Sequence, residues 1–395
     1  MATEPPPPQK RLASIDAYRG FVMLLMLAEV LRLPAVAKAF PDNPVWQFLA
    51  DQQTHVEWEG CSLHDLIQPS FSFLVGVALP FSLASRAMQG QKKWVSALHA
   101  FWRGFLLVAL GVFLRSLHAK QTNYTFEDTL SQIGLGYPLL YFIALGPPRL
   151  RWISLGLILV GYWAMFATFP YQDAHPGTFL GLPDYATLNP TGFAAHWGKN
   201  DNPAWSFDCW FLNQFPREKP FLLNRGGYAT ASFIPTLATM ILGLIAGDLL
   251  RSDRKPKGKV IRLVIAGVLG LVVGYALGYS GICPVVKCIW TPSWVLFSGG
   301  CCALLLAFFY AATDWSGYRR WAFPLVVIGA NSIAAYVGEH LFMTLITDAL
   351  RRHLGAENFQ MVSSNDESFL LGIAALLVFW LGLFWMYRRK LFIKL

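Results

Sequence analysis

Residues 55–73 read HVEWEGCSLHDLIQPSFSF, and the apolar run continues as FSFLVGVALPF to residue 81. His55, Glu57, Trp58, Glu59, His64 and Asp65 stand close together just before that run. Ionisable groups packed at the mouth of a segment long enough to span a bilayer are costly to hold there. They therefore read as a site, with the rest of the chain as its membrane-embedded frame.

Composition agrees with a membrane frame. Of 395 residues, 55% are hydrophobic and 14% charged, against about 25% charged in a typical soluble domain. Mean hydropathy is +0.42. Aromatics reach 15%, with 15 Trp and 30 Phe, as expected of helices with interfacial and interhelical aromatics. The net charge of +9 does not indicate nucleic acid, because Lys and Arg fall in short clusters between apolar runs, as orientation signals do.

Apolar segments of about 20 residues occur near 15–32, 66–86, 95–117, 129–146, 150–169, 228–250, 260–280, 292–312, 322–347 and 368–388. Barrel alternation is absent, so the fold class is all-α, a polytopic transmembrane bundle of about ten spans. Most of the 32 Lys and Arg lie on the side that carries Lys10, Arg11 and Arg19. By the positive-inside rule that side is cytoplasmic and both termini are inside, in an inner (cytoplasmic) membrane, with His55 outside. Residues 1–10, MATEPPPPQK, lack an apolar h-region and read as a disordered cytoplasmic tail rather than a cleaved signal. Residues 11–395 read as one transmembrane domain with two long outer segments, 33–65 and 170–227. The second contains Tyr171, His175, Asp184, His196, Trp197, Asp201, Asp208, Trp210 and Arg225. Long loops of this kind are usually functional. The six Cys include no C-x-x-C pair, so no structural zinc site is expected. A bridge between Cys283 and Cys288 is permitted by their outer placement.

Each polar cluster has two readings. His55 suits a general base or an acyl-accepting nucleophile, with Asp65 orienting it or holding a substrate hydroxyl. It also suits a loop His touching headgroups. Gln132, between Gly134 and Gly136 in LSQIGLGY, is a substrate contact or a helix-packing group. Lys287, with Trp290 and Ser293 at the start of a span, is an anion holder at a helix N-terminus or an interfacial anchor. Asn331, Ser332, Glu339 and His340 are polar within the ninth span, either as site residues or as interhelical hydrogen-bond donors. In the first span Ser14 is expected as the helix cap and Glu29 as a neighbour of the His55 cavity.

Taken in order, these pieces resemble the heparan-α-glucosaminide N-acetyltransferase family and its bacterial-type members, within the transmembrane acyltransferases. The matching residues are Arg11, Leu12, Ser14, Asp16, Arg19 and Gly20, followed by His55, Trp58, Gly60, Asp65, Leu66, Pro69, Phe71 and Phe73. Gln132 and Gly134 come next, then Pro284, Lys287, Trp290, Thr291 and Ser293, and finally Asn331, Ser332, Ile333, Tyr336, Val337 and Gly338. The resemblance implies an enzyme that moves an acetyl group from cytoplasmic acetyl-CoA, as co-substrate, to an amino sugar on the far side of the membrane. It implies His55 as the catalytic residue, with Asp65 beside it. Glu29, Trp58, Gln132, Lys287, Trp290, Ser293, Asn331, Ser332 and His340 are the expected substrate-binding set. Glu29 departs from the pattern, since relatives commonly carry Asn near the outer end of the first span. The expected partners are membrane lipids and an amino-sugar or glycan acceptor, with a homodimer as the open oligomeric option, and no nucleic acid. A transporter or permease for a small polar solute is the competing function. It calls for internal repeats and matched broken helices, and neither is evident in the sequence.

Overall fold

The computed structural model describes residues 12–170, 192–360 and 367–393. The tail 1–10 and Tyr171, His175 and Asp184 lie outside the described residues. These contain fourteen α-helices. They are α1 Ala13–Leu27, α2 Leu33–Ala39, α3 Pro44–Gln53, α4 Ile67–Met88, α5 Lys93–Ser116, α6 Thr129–Leu145 and α7 Pro148–Ala167. Then follow α8 Pro203–Phe211, α9 Phe233–Arg251, α10 Pro256–Tyr279, α11 Pro292–Phe309, α12 Phe323–Ala330, α13 Ser332–Leu354 and α14 Glu367–Arg388. The only β pairing among the described residues is two isolated antiparallel bridges, Glu59 with Val286 and Gly198 with Asp201.

Each apolar segment has a helical counterpart. Seven helices are long and apolar enough to cross a membrane, α6 is a shorter apolar helix, and two further segments are bent pairs. The first bent pair turns by 45° where α1, extended by a 3₁₀ turn, meets α2. Arg32 there has φ 48°. The second turns by 80° between α12 and α13 at Asn331. The first break falls where the expected span 15–32 ends; the second lies inside the expected span 322–347, which a hydropathy pattern reads as continuous. The segment 33–65 is also not plain loop: Pro34 lies in the first turn of α2 and Pro44 starts α3, and Asn43 caps α3 by accepting from Val45 and Trp46 N–H.

Small residues set the helix crossings. A Cβ at Gly76 of α4 would collide with the Met240 carbonyl of α9, and one at Gly243 of α9 with the Phe73 carbonyl of α4. The two helices are thus in backbone contact, the geometry small-residue interfaces permit in membranes. Likewise Gly20 of α1 lies against the Leu325 carbonyl of α12, and Gly329 against the Asp16 carbonyl. This contact gives the Arg19–Gly20 motif its physical reason.

The start of α1 corrects one expectation. Ser14 is not the cap; its hydroxyl is buried without a partner. Asp314, some three hundred residues away, accepts from Ala13 N–H at 3.2 Å and Ser14 N–H at 2.9 Å. On the opposite side, the described part of the long outer segment forms a satellite core with Trp58, Phe166 and Trp197. Trp58 Nε1 donates to the Trp197 carbonyl at 3.1 Å. Cys283 and Cys288 are buried free thiols, not a disulfide.

Replacing Gly243 by Leu should destabilise the bundle by about 2 kcal/mol or more, because no rotamer avoids the Phe73 backbone. Gly382→Leu, where a Cβ meets nothing within 4 Å, should leave the apparent Tm in detergent nearly unchanged. Equal Tm losses in the two variants would contradict the close α4–α9 crossing.

Candidate functional site

The stretch 55–66 folds around a single carboxylate. Asp65 opens the turn that leads into α4 and is 1% exposed. Its Oδ2 accepts from Ser62 N–H at 3.0 Å, Ser62 Oγ at 3.0 Å and Val56 N–H at 3.3 Å. These bonds wrap the loop back on itself. Its Oδ1 lies 2.7 Å from His55 Nδ1 and 2.9 Å from Lys287 Nζ. Lys287 arrives from the turn before α11, which is pinned to this loop by the Glu59–Val286 bridge and by Gly60 N–H donating to the Val285 carbonyl at 3.0 Å.

The tautomer follows from these contacts. A carboxylate oxygen at 2.7 Å from Nδ1 requires an N–H there, since two acceptors would repel. Nδ1–H therefore donates to Asp65, and the lone pair of His55 is on Nε2. Lys287 Nζ is also 3.0 Å from Nδ1, so the imidazole N–H and the ammonium share the Asp65 charge. Nε2 accepts no hydrogen bond among the described residues, and the His55 side chain is 49% exposed on the wall of a cavity of about 370 Å³.

Several helices close that cavity. The turn after α1 supplies Glu29; α5 ends in it with Arg115; the segment before α6 brings Glu127 and Asp128; α13 contributes Tyr336, Glu339 and His340. His340 stacks on Tyr336 with centroids 5.0 Å apart and pairs with Glu339 at 2.7 Å. His64 Nε2 is 2.8 Å from Glu29 Oε1, and its ring sits 4.7 Å from that of His55. Burial pushes the Glu127 carboxyl up, with Arg115 opposing the shift. Burial also raises Tyr228, which faces Lys287 across 5.7 Å. Among the described residues no group of His, Cys, Asp and Glu could hold a metal.

The wall thus contains Glu29, His55, Lys287 and His340 from the expected set, with Asp65 directly behind His55. The other expected residues lie outside it. Gln132 is fully buried and donates to the Phe126, Ala229 and Thr230 carbonyls while accepting from Thr236, stitching α6 to the entry of α9. Trp290 donates to Thr239 Oγ1 at 3.0 Å. Ser293 donates to the Pro284 carbonyl at 2.6 Å. Trp58 belongs to the satellite core, and Ser332 begins α13. Asn331 sits at the α12–α13 break, donating to the Leu391 carbonyl and accepting from Ile393 N–H; it anchors the C-terminal segment. Lys287 is likewise not open to an anion at a helix N-terminus, because Asp65 and His55 occupy it. The cavity residues that the sequence does not single out are Arg115, Glu127, Asp128 and Tyr228. Their shared sign is modest: each is a polar group at the end of a span.

No family model matches the chain. It is 24% identical over 424 residues to the Homo sapiens protein named heparan-alpha-glucosaminide N-acetyltransferase. It is 23% identical over 428 residues to the Mus musculus protein of that name. Each match covers 98% of this chain and 60% of the relative. The chain therefore spans about three fifths of the length of the curated relatives it matches, and the similarity runs along nearly all of its own length.

Two measurements check the electrostatics. Lys287→Met leaves the Asp65 charge uncompensated and should cost about 3–5 kcal/mol. Asp65→Asn added to Lys287→Met should recover a large part in thermal unfolding; a double variant less stable than Lys287→Met would contradict the pairing. Asp208 of α8 is held up at about 6 by burial. It accepts from Thr230 N–H through Oδ2 while Oδ1 has no donor. Its folded pKa is above the unfolded value, so its ionised form destabilises the protein above pH 6 and that penalty fades on acidification. Asp208→Asn should therefore raise Tm clearly at pH 8 and little at pH 4, in scans across that range.

Proposed function

We propose that the protein is a membrane-embedded acetyltransferase that moves an acetyl group from cytoplasmic acetyl-CoA to an amino sugar on the extracytoplasmic side. The observation that carries the reading is the His55–Asp65 contact, with Nε2 turned to an outward cavity. The name of the relatives, acetyl transfer to a glucosaminide, supplies the reaction class. The coenzyme's thioester brings an activated acetyl carbon, and the protein must supply a base and a position.

In this reading Asp65 holds the imidazole in one tautomer and orientation and balances the charge that His55 gains. His55 Nε2 then takes a proton from the attacking amine, or first accepts the acetyl group itself. Glu29, Glu339 and Asp128 give the cavity an anionic wall suited to an ammonium-bearing sugar. Lys287 keeps the buried Asp65 ionised without adding net charge behind the ring.

The opposite ends of the bundle support the donor side. A cavity of about 420 Å³ lies between the ends of α4, α6 and α9 and the starts of α5 and α7, with Arg86, Lys93, Arg151 and Arg251 on its wall and Asp248 paired to Arg151. By the charge pattern this is the cytoplasmic face. Such a basic pocket fits the phosphates of a coenzyme that enters from that side. The transporter reading would need the helix breaks to line the solute path. Arg32 and Asn331 do not belong to the wall of the His55 cavity.

Purified protein in proteoliposomes should transfer radiolabelled acetyl from acetyl-CoA to glucosamine, and His55→Ala should lower the rate about 10²–10⁴-fold. Transfer to none of a panel of amino sugars, together with solute uptake into the same vesicles, would replace the enzyme with a permease.

A further inference from the structure

The proposed reaction releases more protons than one imidazole can hold. An amino sugar at neutral pH is largely an ammonium, and acetylation of R–NH₃⁺ removes two N–H protons: one before attack and one as the amide forms. The coenzyme thiolate takes one of these; the other must go to a second base. If His55 carries the acetyl group on Nε2, it cannot also be that base.

A second imidazole stands in the same cavity. His64 is 6% exposed and its Nε2 is 2.8 Å from Glu29 Oε1. Its ring centre is 4.7 Å from that of His55, with the planes inclined at 48°. The two His residues are held in opposite senses. Asp65 binds His55 through Nδ1 and leaves Nε2 open. Glu29 binds His64 through Nε2 and leaves Nδ1 without a hydrogen-bond partner among the described residues. A Glu carboxylate facing Nε2 fixes the N–H on that nitrogen, by the argument applied to His55, so the lone pair is on Nδ1. Both rings and Glu29 line the cavity, and Glu29 remains 55% exposed toward it.

We propose that Glu29 and His64 form a second acid–base pair, which removes the first proton from the acceptor ammonium while His55 serves the acetyl group. This inference rests on the acetyltransferase reading above. The acceptor R–NH₃⁺ gives a proton to His64 Nδ1, and the resulting imidazolium is stabilised by Glu29. The free amine nitrogen bonds to the acetyl carbonyl carbon. The bond from that carbon to its leaving group breaks, whether the coenzyme sulfur or Nε2 of an acetylated His55, and the leaving group keeps the electron pair. The second N–H proton passes to His55 Nε2, and from there to the thiolate or to water. His64 returns its proton to water at the cavity mouth. The net yield is amide, thiol and one proton.

The test compares two acceptors with full-length protein. Glucosamine must lose a proton before it attacks, whereas hydroxylamine is already an uncharged nucleophile at neutral pH. His64→Ala should slow transfer to glucosamine about 100-fold and transfer to hydroxylamine no more than roughly fivefold. Added imidazole should restore part of the glucosamine rate, since it can enter the space left by the side chain. His64→Gln places its amide near the Nε2 position and keeps a donor to Glu29 but has no titratable nitrogen, and should show the same acceptor discrimination. Glu29→Gln should show it to a smaller degree, and provides the readout if the His64 variants fail to fold. Equal losses with both acceptors and no imidazole rescue would overturn the pair and leave His64 as a support for His55. A wild-type protein that acetylates neither acceptor would instead remove the acetyltransferase reading itself.

Discussion

The Asp65 carboxylate is the point on which the end of the molecule that carries His55 depends. It is nearly inaccessible to water and accepts from two backbone N–H groups, a serine hydroxyl, an imidazole and an ammonium. A buried charge is tolerable only with partners of this number and kind. Its two oxygens have divided roles. Oδ2 closes the loop 56–62 on itself, and Oδ1 reaches outward to the ring of His55 and across the bundle to Lys287. The same residue therefore shapes the backbone of the site and sets the tautomer of its imidazole. Lys287, brought in by the α10–α11 connection, ties the site to helices remote in sequence.

The bundle beneath is rigid because backbones touch. Gly76 and Gly243 bring α4 against α9, and Gly20 and Gly329 bring α1 against α12. Lipid offers helices little hydrophobic gain on association, so close van der Waals contact and buried hydrogen bonds must hold them. Gln132 and Asn331 do the second job. Each spends its amide on backbone groups that a loop or a chain end would otherwise leave unpaired: Gln132 where α6 meets the entry of α9, Asn331 where the 80° bend meets the C-terminal segment. Polar residues inside spans are thus of two kinds here, those facing the His55 cavity and those completing the frame.

That division explains which parts of the site were legible. His55 and Asp65 were, because a cluster of ionisable groups before an apolar run stands out in any window. Lys287 was found, but as an anion holder; its partner Asp65 lies over two hundred residues earlier, beyond any local pattern. Asn331, Gln132, Trp290 and Ser293 read as site residues because polar groups in spans are costly, and that cost is met just as well by structural hydrogen bonds. His64 was legible only as a member of the ionisable cluster, with no role of its own; the turn into α4 directs it to Glu29 and the cavity.

The amino-acid sequence alone determined that the chain is a bundle of about ten apolar helices and that the His55 stretch sits at one end of a span. Segment length, hydropathy and the distribution of Lys and Arg are local or additive properties, and they survive without coordinates. Tertiary structure alone decided which polar side chains meet. It broke the ninth span, gave the cap of α1 to Asp314, joined Glu29 to His64, and drew Arg115, Glu127 and Glu339 around the imidazole. The physical reason is that a hydrogen bond or ion pair is chosen by the crossing of backbones, and those crossings are set by glycines and bends whose partners lie far away along the chain.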